Sequence, residues 1–374
     1  MKKTLLTICL TWMCFSLSAQ KIIDLSGKWS FSIDRQDNGE KEKWFSHTLN
    51  DFINLPGSMP EKLKGDEVTA KTQWTGSLYD SSYYYNPYME KYRKEGNIKF
   101  PFFLTPDKHY VGAAWYQKEV NIPADWKGER ILLFLERPHI ETTVWVNGQK
   151  TGMQNSLCVP HQYDITRYVR PGKCTITIRV DNRIKEINVG PDSHSITDQT
   201  QGNWNGIVGR ICLQTTPKTY FDDIQIYPEP EQKLARVKVV IKGAGITKIK
   251  LSAESFNTDK KHIVPAIQQE IKLNKGVTET EMVLPMGNDM LLWDEFHPAL
   301  YKLKAEVTNG KKTEIKEIQF GMRRFEIKGK WFYVNGRKPQ LSGTVENCDF
   351  PLTGYAPMDL SLIHISEPTR LLSI

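Results

Sequence analysis

Several features are scarce in this sequence, and each scarcity removes a class of function. Cysteine occurs only six times, never as a CxxC pair and never beside histidines at zinc spacing. Neither a zinc-finger nor a CxxC redox protein is encoded. The net charge is a mild +7, spread along the chain without an Arg/Lys block. A solvated surface explains such a pattern better than nucleic-acid binding. Heptads and long amphipathic helical patterns are missing, which excludes a coiled coil or a helical bundle. The apolar run from Leu5 to Leu17 is shorter than the ~20 residues of a membrane-spanning helix. It follows Lys2-Lys3 and precedes Ser18-Ala19-Gln20, the pattern of a secretory signal peptide. Cleavage after Ala19 is expected, with export to the periplasm or beyond and no membrane insertion afterwards. Cys9 and Cys14 follow the bulky Ile8 and Met13, a poor setting for lipidation. Cleavage leaves Cys158, Cys174, Cys212 and Cys348, which we expect as buried free thiols. Cys158 with Cys174 is the pair to check for a disulfide.

What is present is aromatic and β-patterned. Ten Trp, fifteen Tyr and fifteen Phe suit both sandwich cores and sugar-stacking surfaces. Period-2 or β-branched runs predict strands at 29–33, 115–122, 130–135, 142–146, 175–180 and 209–215. Further strands are predicted at 223–227, 236–241, 248–252, 278–284, 301–307 and 316–320. Asn147-Gly148, Pro171-Gly172, Asn309-Gly310 and Asn335-Gly336 supply turn chemistry. Many short strands joined this way indicate packed antiparallel sheets, an all-β chain. Composition shifts near Thr216-Pro217-Lys218 and again near residues 321–324, after which Asn335-Gly336 reads as the turn of a hairpin. Residues 58–107 are the least regular and hold Trp74, Tyr79, Tyr83, Tyr84, Tyr85, Tyr88 and Tyr92. A long loop with its own aromatics reads as a functional insertion or lid. Trp145, alternating with Val144 and Val146, is expected in a core. His161 beside Pro160 is expected to pack at an edge, and Gly206 and Gly209 to mark a bend or a close backbone approach.

These segments carry a resemblance. Ala114-Trp115-Tyr116-Gln117-Lys118-Glu119-Val120 resembles the opening strand pair of the sugar-binding domain of glycoside hydrolase family 2. Val144-Trp145-Val146-Asn147-Gly148-Gln149 is similar to that domain's most recognisable hairpin. Tyr163-Asp164-Ile165-Thr166 and the run 171–182 are similar to the segments next in line after the hairpin. Trp204-Asn205-Gly206-Ile207-Val208-Gly209-Arg210 resembles its closing strand. Leu292-Trp293, His297-Pro298 and Leu300-Tyr301-Lys302-Leu303 are similar to late strands of the family's immunoglobulin-like domain. Phe320-Gly321-Met322-Arg323 and Val334-Asn335-Gly336-Arg337-Lys338-Pro339 resemble the lead-in to its catalytic barrel. The likeness runs through residues 21–359 in the family's order.

The resemblance implies a jelly-roll (galactose-binding-like) sandwich at 20–217, after the signal peptide at 1–19. An immunoglobulin-like β-sandwich would come next at 218–322, and the start of an (α/β)8 barrel at 323–359. Such a barrel needs about 250 residues, so the catalytic carboxylates are expected beyond Asp359 and none is assigned here. Leu360 to Arg370 is similar to one reading frame of a transposase adapter used in DNA library preparation, which makes 360–374 an expected artefact. By the same resemblance the full enzyme would hydrolyse non-reducing-end β-linked sugars with retention, through paired carboxylates. A non-catalytic carbohydrate-binding or adhesion protein is the alternative.

Glu136, Glu141 and Asp164 lie on hairpins and turns and are expected as solvated faces or caps rather than a catalytic pair. Asn347, Cys348 and Ser342 stand where the family's His, Glu and Arg are implied, which puts ordinary β-galactosidase specificity in doubt. Glu346 and Asn347 are the candidates there for lining the sugar site. In the loop of Asp192, His194, Asp198, Asn203, Trp204 and Asn205, we expect Asp198 and Trp204 to face sugar, with self-contained Asx turns as the bland alternative. Trp74 with Tyr83–Tyr85 reads either as a stacking wall for a sugar or as a loop pinned to the sandwich. No metal ligand set and no cofactor is expected, with a monovalent or divalent cation left open for the full-length enzyme. The expected partner is a carbohydrate, and the oligomeric state is not legible.

Overall fold

The computed structural model describes residues 21–75, 85–99, 105–157, 159–185, 202–343, 350 and 352–356. They form two compact units: residues 21–215 with the described residues from 343 onward, and residues 216–342.

The first unit opens with β1 (Ile22–Asp24), β2 (Gly27–Asp34), β3 (Asp51–Leu55), β4 (Gly57–Ser58), β5 (Asp66–Glu67) and β6 (Lys108–His109). It continues with β7 (Ala113–Ile122), β8 (Arg130–Pro138), β9 (Glu141–Val146), β10 (Gln149–Asn155), β11 (His161–Asp164), β12 (Gly172–Asp181) and β13 (Gly206–Thr216). One sheet runs β10-β9-β12-β7-β2-β3 and the other β1-β13-β8-β11, with β4 also on β13. The all-β sandwich holds.

Side-chain alternation explains how the layers pack. Ala114, Tyr116, Val120 and Ile122 of β7, Val144 and Val146 of β9, and Ile176, Ile178 and Val180 of β12 point inward. They meet Leu133, Leu135, Ile207, Ile211 and Leu213 of the facing sheet. Each such large apolar side chain contributes about 1.5–3 kcal/mol of burial. The opposite parity of the six-stranded sheet is covered too. Trp115 and Trp145 pack with Leu49, Trp44 and Phe45, and Phe45 stacks on Trp145 at 5.2 Å with an interplanar angle of 5°. Trp145 is therefore core, on the face opposite Val144 and Val146.

Both faces being buried has a consequence for charge. Glu141, expected to be solvated, is buried on that second face beside Arg179 and Lys185. The alternation placed it on the face opposite the main core; only the covering segment makes that face interior. Glu136 and Asp164 remain accessible, held by Arg210 and Arg130. His161 is a packing histidine: its Nδ1 lies 2.6 Å from Thr142 Oγ1, and burial pushes its imidazole below the usual range. Cys174 and Cys212 are buried free thiols, so Cys174 forms no disulfide; Cys158 and Cys348 lie outside the described residues.

Asn147 and Gly148 both have positive φ, 49° and 76°, as the two-residue hairpin demands. Gly206 sits at φ 150° against β4, and a Cβ there would fall 2.4 Å from the Gly57 carbonyl oxygen. Gly206→Ala is accordingly expected to cost about 2 kcal/mol or more, by forcing β13 from β4. A melting temperature within about 1 °C of wild type would reject this close-approach account.

The second unit contains β14 (Tyr220–Glu229), β15 (Leu234–Phe256), β16 (Ile263–Pro285), β17 (Leu300–Asn309) and β18 (Lys312–Phe320). The short strands expected at 236–241 and 248–252 are parts of one 23-residue strand, β15. Its pairing with β16 slips between Gly243 and Gly245. Before the slip β15 pairs β14; after it, β15 pairs β17, which pairs β18. One bulged strand thus changes partners between its two halves, and the core gathers Val237, Val239 and Ile241 from one half with Ile249 and Leu251 from the other. The strand at 263–275 was not expected, because its Gln- and Lys-rich pattern has few inward apolar residues.

The hairpin expected around Asn335-Gly336 is placed differently. β19 (Phe325–Lys328) pairs β20 (Trp331–Val334), with the reversal at Gly329-Lys330. Asn335-Gly336 does make a tight turn, closed by the Val334–Arg337 bridge. Pro339 lacks the N–H to extend a ladder beyond it.

Candidate functional site

The end of the first sandwich where β12 finishes and β13 begins is built around three buried amides. Asn205 donates from Nδ2 to the carbonyls of Gly112 (2.9 Å) and Val180 (3.0 Å), and its Oδ1 accepts the Tyr116 hydroxyl at 2.8 Å. Asn182 donates to the Tyr110 carbonyl (2.8 Å) and to Asn203 Oδ1 (3.0 Å), and accepts the Gly112 N–H at 2.8 Å. Asn203 donates to Thr75 Oγ1 at 2.9 Å and to the Asn182 carbonyl at 3.1 Å. Buried amides must be satisfied, and these are. Their work ties the lead-in of β7, the end of β12, the start of β13 and residue 75 together.

Trp204 stands between two of these anchors, so its ring position is set by them. It stacks on His139 (centroids 4.5 Å, 17°), tilts against Tyr355 (5.5 Å, 53°) and is 7% exposed. Trp74 is half-buried and tilts against His109 at 4.7 Å. Tyr85 is 83% exposed, while Tyr83 and Tyr84 lie outside the described residues. Asp198, Glu346 and Asn347 also lie outside them. Of the five residues named from sequence as sugar-binding candidates, the structure therefore places Trp74 and Trp204, whose ring contacts are with His109 and with His139 and Tyr355 respectively.

His109 also lines an open cleft of about 320 Å³, with Asp66, Glu67, Thr69, Thr72, Gln73, Tyr110 and Val111. This is the lower end of small-ligand site volumes. Its walls are hydroxyls, an amide and two carboxylates, groups that hydrogen-bond sugar hydroxyls. Asp66 already pairs with Arg35 at 2.6 Å and Glu67 with Lys108. Tyr110 donates its hydroxyl to the Ala113 carbonyl at 2.8 Å.

Beside this region lies an ion cluster of Asp37, Glu141, Arg179, Asp181, Arg183 and Lys185. Burial pushes the Asp181 carboxyl up, but hydrogen bonds from Arg183 and Lys185 and the charge of Arg179 overcome it and hold the group well below the usual carboxylate range. Glu141 accepts from Arg179 at 3.4 Å and Lys185 at 2.9 Å. Glu136 accepts the backbone N–H of Arg210 at 2.6 Å, and Asp164 caps Thr166 while pairing Arg130 at 2.8 Å. All three acids are thus committed to structural partners. Among the described residues no group of three or more His, Cys, Asp or Glu side chains gathers as a metal site.

Sequence reasoning did not find the Asn182–Asn203 pair, the ion cluster, or the contacts of Ser58 and Glu61 with Thr353 and Tyr355. Asn203 and Asn205 flanking a Trp carried a signal; the residues around 355 carried none, since their partners lie almost 300 positions away.

Comparison with known proteins matches the two units in order. Residues 22–217 match the model for glycosyl hydrolases family 2, sugar binding domain, and residues 219–323 match the model for glycosyl hydrolases family 2. A β-glucuronidase of Paenibacillus borealis is 23% identical over 355 residues, covering 90% of this chain and 51% of that protein. A β-galactosidase of Thermoanaerobacter pseudethanolicus is 25% identical over 281 residues, covering 70% and 35% respectively. The solved apo structure of β-glucuronidase from Ruminococcus gnavus shares the fold at a TM-score of 0.59 and 19% identity, over 87% of this chain and 49% of that one. The chain spans about half or less of the length of these relatives. With the two family models matched in order over residues 22–217 and 219–323, the chain belongs to glycosyl hydrolase family 2.

Proposed function

We propose that this chain supplies the sugar-binding and adjoining sandwich modules of a secreted or periplasmic glycoside hydrolase. The reaction proposed is removal of a non-reducing-end β-linked sugar with retention of configuration. One observation carries the reading: both family models match in order, on a chain half the length of its relatives, while Glu136, Glu141 and Asp164 are all held in ion pairs. A retaining glycosidase needs two carboxylates about 5–5.5 Å apart, one attacking the anomeric carbon and one protonating the leaving oxygen. The backbone N–H of Arg210 holds the Glu136 carboxyl below its usual range; burial works against Asp164, but Thr166 and Arg130 hold it low as well. Both make poor proton donors, and Glu141 is occupied by Arg179 and Lys185. The catalytic pair is accordingly assigned to a barrel C-terminal to these modules.

In this reading the polar cleft and the Trp74 ring present sugar-compatible surface beside the catalytic module. Asp198, Glu346 and Asn347 are proposed to contact the sugar, and Trp204 to shape that end of the sandwich. Relatives bearing the names β-glucuronidase and β-galactosidase make a β-glucuronide and a β-galactoside the substrates to try first. The 374-residue chain is expected to turn over neither 4-nitrophenyl β-glucuronide nor 4-nitrophenyl β-galactoside. The chain extended by its downstream coding sequence is expected to hydrolyse at least one, with the β-anomer as the first product by NMR. Turnover by the 374-residue chain would sink the reading. A downstream sequence encoding no barrel, with sugar binding retained, would favour the non-catalytic binder instead.

A further inference from the structure

The segment around residues 353–355 sits in a fitted notch of the first sandwich. The Ser58 hydroxyl donates to the Thr353 carbonyl at 2.5 Å, and the Tyr355 hydroxyl donates to Glu61 Oε2 at 2.7 Å. Trp204, backed by His139, closes over Tyr355. Gly354 has φ 80°, and a Cβ there would fall 2.7 Å from the Trp204 ring, so only glycine lets the turn approach the indole. The turn is closed by its own bonds: the Gly354 N–H donates to the Phe350 carbonyl at 2.6 Å, and the Thr353 hydroxyl to the Tyr355 carbonyl at 2.7 Å. Glu61 is held in its ionised form: burial works against it, and Lys62 and the Tyr355 hydroxyl prevail. The Glu61 carboxylate therefore stays a strong acceptor at neutral pH. The residues that grip the segment come from β4, the turn after it, and the Asn203–Asn205 anchor, parts of the sandwich fixed independently of it.

We infer that this notch is an intramolecular dock: the first sandwich captures the chain after it has built the second unit, and fixes where any later module starts. Resting on the function proposed above, Glu61 and Trp204 are then positioning residues for the catalytic module rather than sugar contacts.

The dock is tested in the chain as it exists, by hydrogen exchange of the 350–356 peptide. Wild type is expected to be protected there. Tyr355→Phe should speed exchange about tenfold or more, since it deletes one hydrogen bond to a carboxylate. Gly354→Ala should speed it as well, by steric exclusion, with β7 and β12 peptides unchanged in both. Exchange of the wild-type segment at the rate of a free peptide, or unaltered rates in both variants, would overturn the dock. In the extended chain the same two variants should lower kcat about tenfold with KM within about twofold. Equal kcat despite released exchange would remove the positioning role. An inactive extended wild type would refute the proposed function and leave the exchange result standing.

Discussion

Asp181→Asn is expected to cost the first sandwich roughly 3–5 kcal/mol, the loss typical of one partner removed from a buried ion cluster. Asp181 is 0% exposed. It accepts from Arg183 Nε at 2.9 Å and Nη2 at 2.6 Å, from Arg179 at 3.0 Å and from Lys185 at 2.8 Å. Asparagine keeps the shape and removes the charge. Among the described residues, three cations then face Asp37 and Glu141 alone, and an amide N–H₂ takes the place of an acceptor oxygen. For a unit of this size the melting temperature should fall by about 10 °C.

The pH dependence has a definite sign. The folded Asp181 carboxyl is held below its unfolded range, so its contribution is complete above about pH 4 and is lost as pH falls through the folded value. The gap between wild type and variant should therefore be constant from about pH 5 to 8 and narrow only in strong acid. A gap that vanishes near neutrality, or a shift under about 2 °C, would show that the charge is dispensable.

Asn205→Ala is the second large effect, about 2–4 kcal/mol. Truncation deprives the buried Tyr116 hydroxyl of its acceptor and the Gly112 and Val180 carbonyls of a donor. Leaving buried groups unpaired costs about 1–3 kcal/mol each, and neighbouring losses do not simply add. The partner variant Tyr116→Phe removes only the hydroxyl and should cost less. In urea titrations the double variant should lose less than the sum of the singles. Additive losses would mean the two side chains do not share one network.

Much of the fold was legible because local rules agreed with the global structure. β12 alternates apolar and polar residues from Lys173 to Asp181, β7 does so from Glu119 to Ile122, and Asn147-Gly148 supplies the conformation its hairpin needs. The likeness to glycosyl hydrolase family 2 could be read from segment order alone, because each segment carries a turn or strand signature. The β19–β20 hairpin was misplaced because Asn335-Gly336 is the stronger turn signal, yet Gly329-Lys330 has the pairable runs on both sides. The candidate site was legible only in part. Trp74 and Trp204 stood out as aromatics in irregular segments, but nothing local announced Tyr355 as a partner of Trp204 and Glu61.

By itself, the sequence determined the all-β class, the family, most strand positions and the inward faces, because alternation and turn chemistry act over a few residues. Tertiary structure alone decided that Glu141 is buried, that β15 changes partners at its bulge, and that residues 353–355 return to the first sandwich. Those outcomes depend on which distant segments cover a face or fill a notch, and pairing across hundreds of residues leaves no periodic trace in the chain.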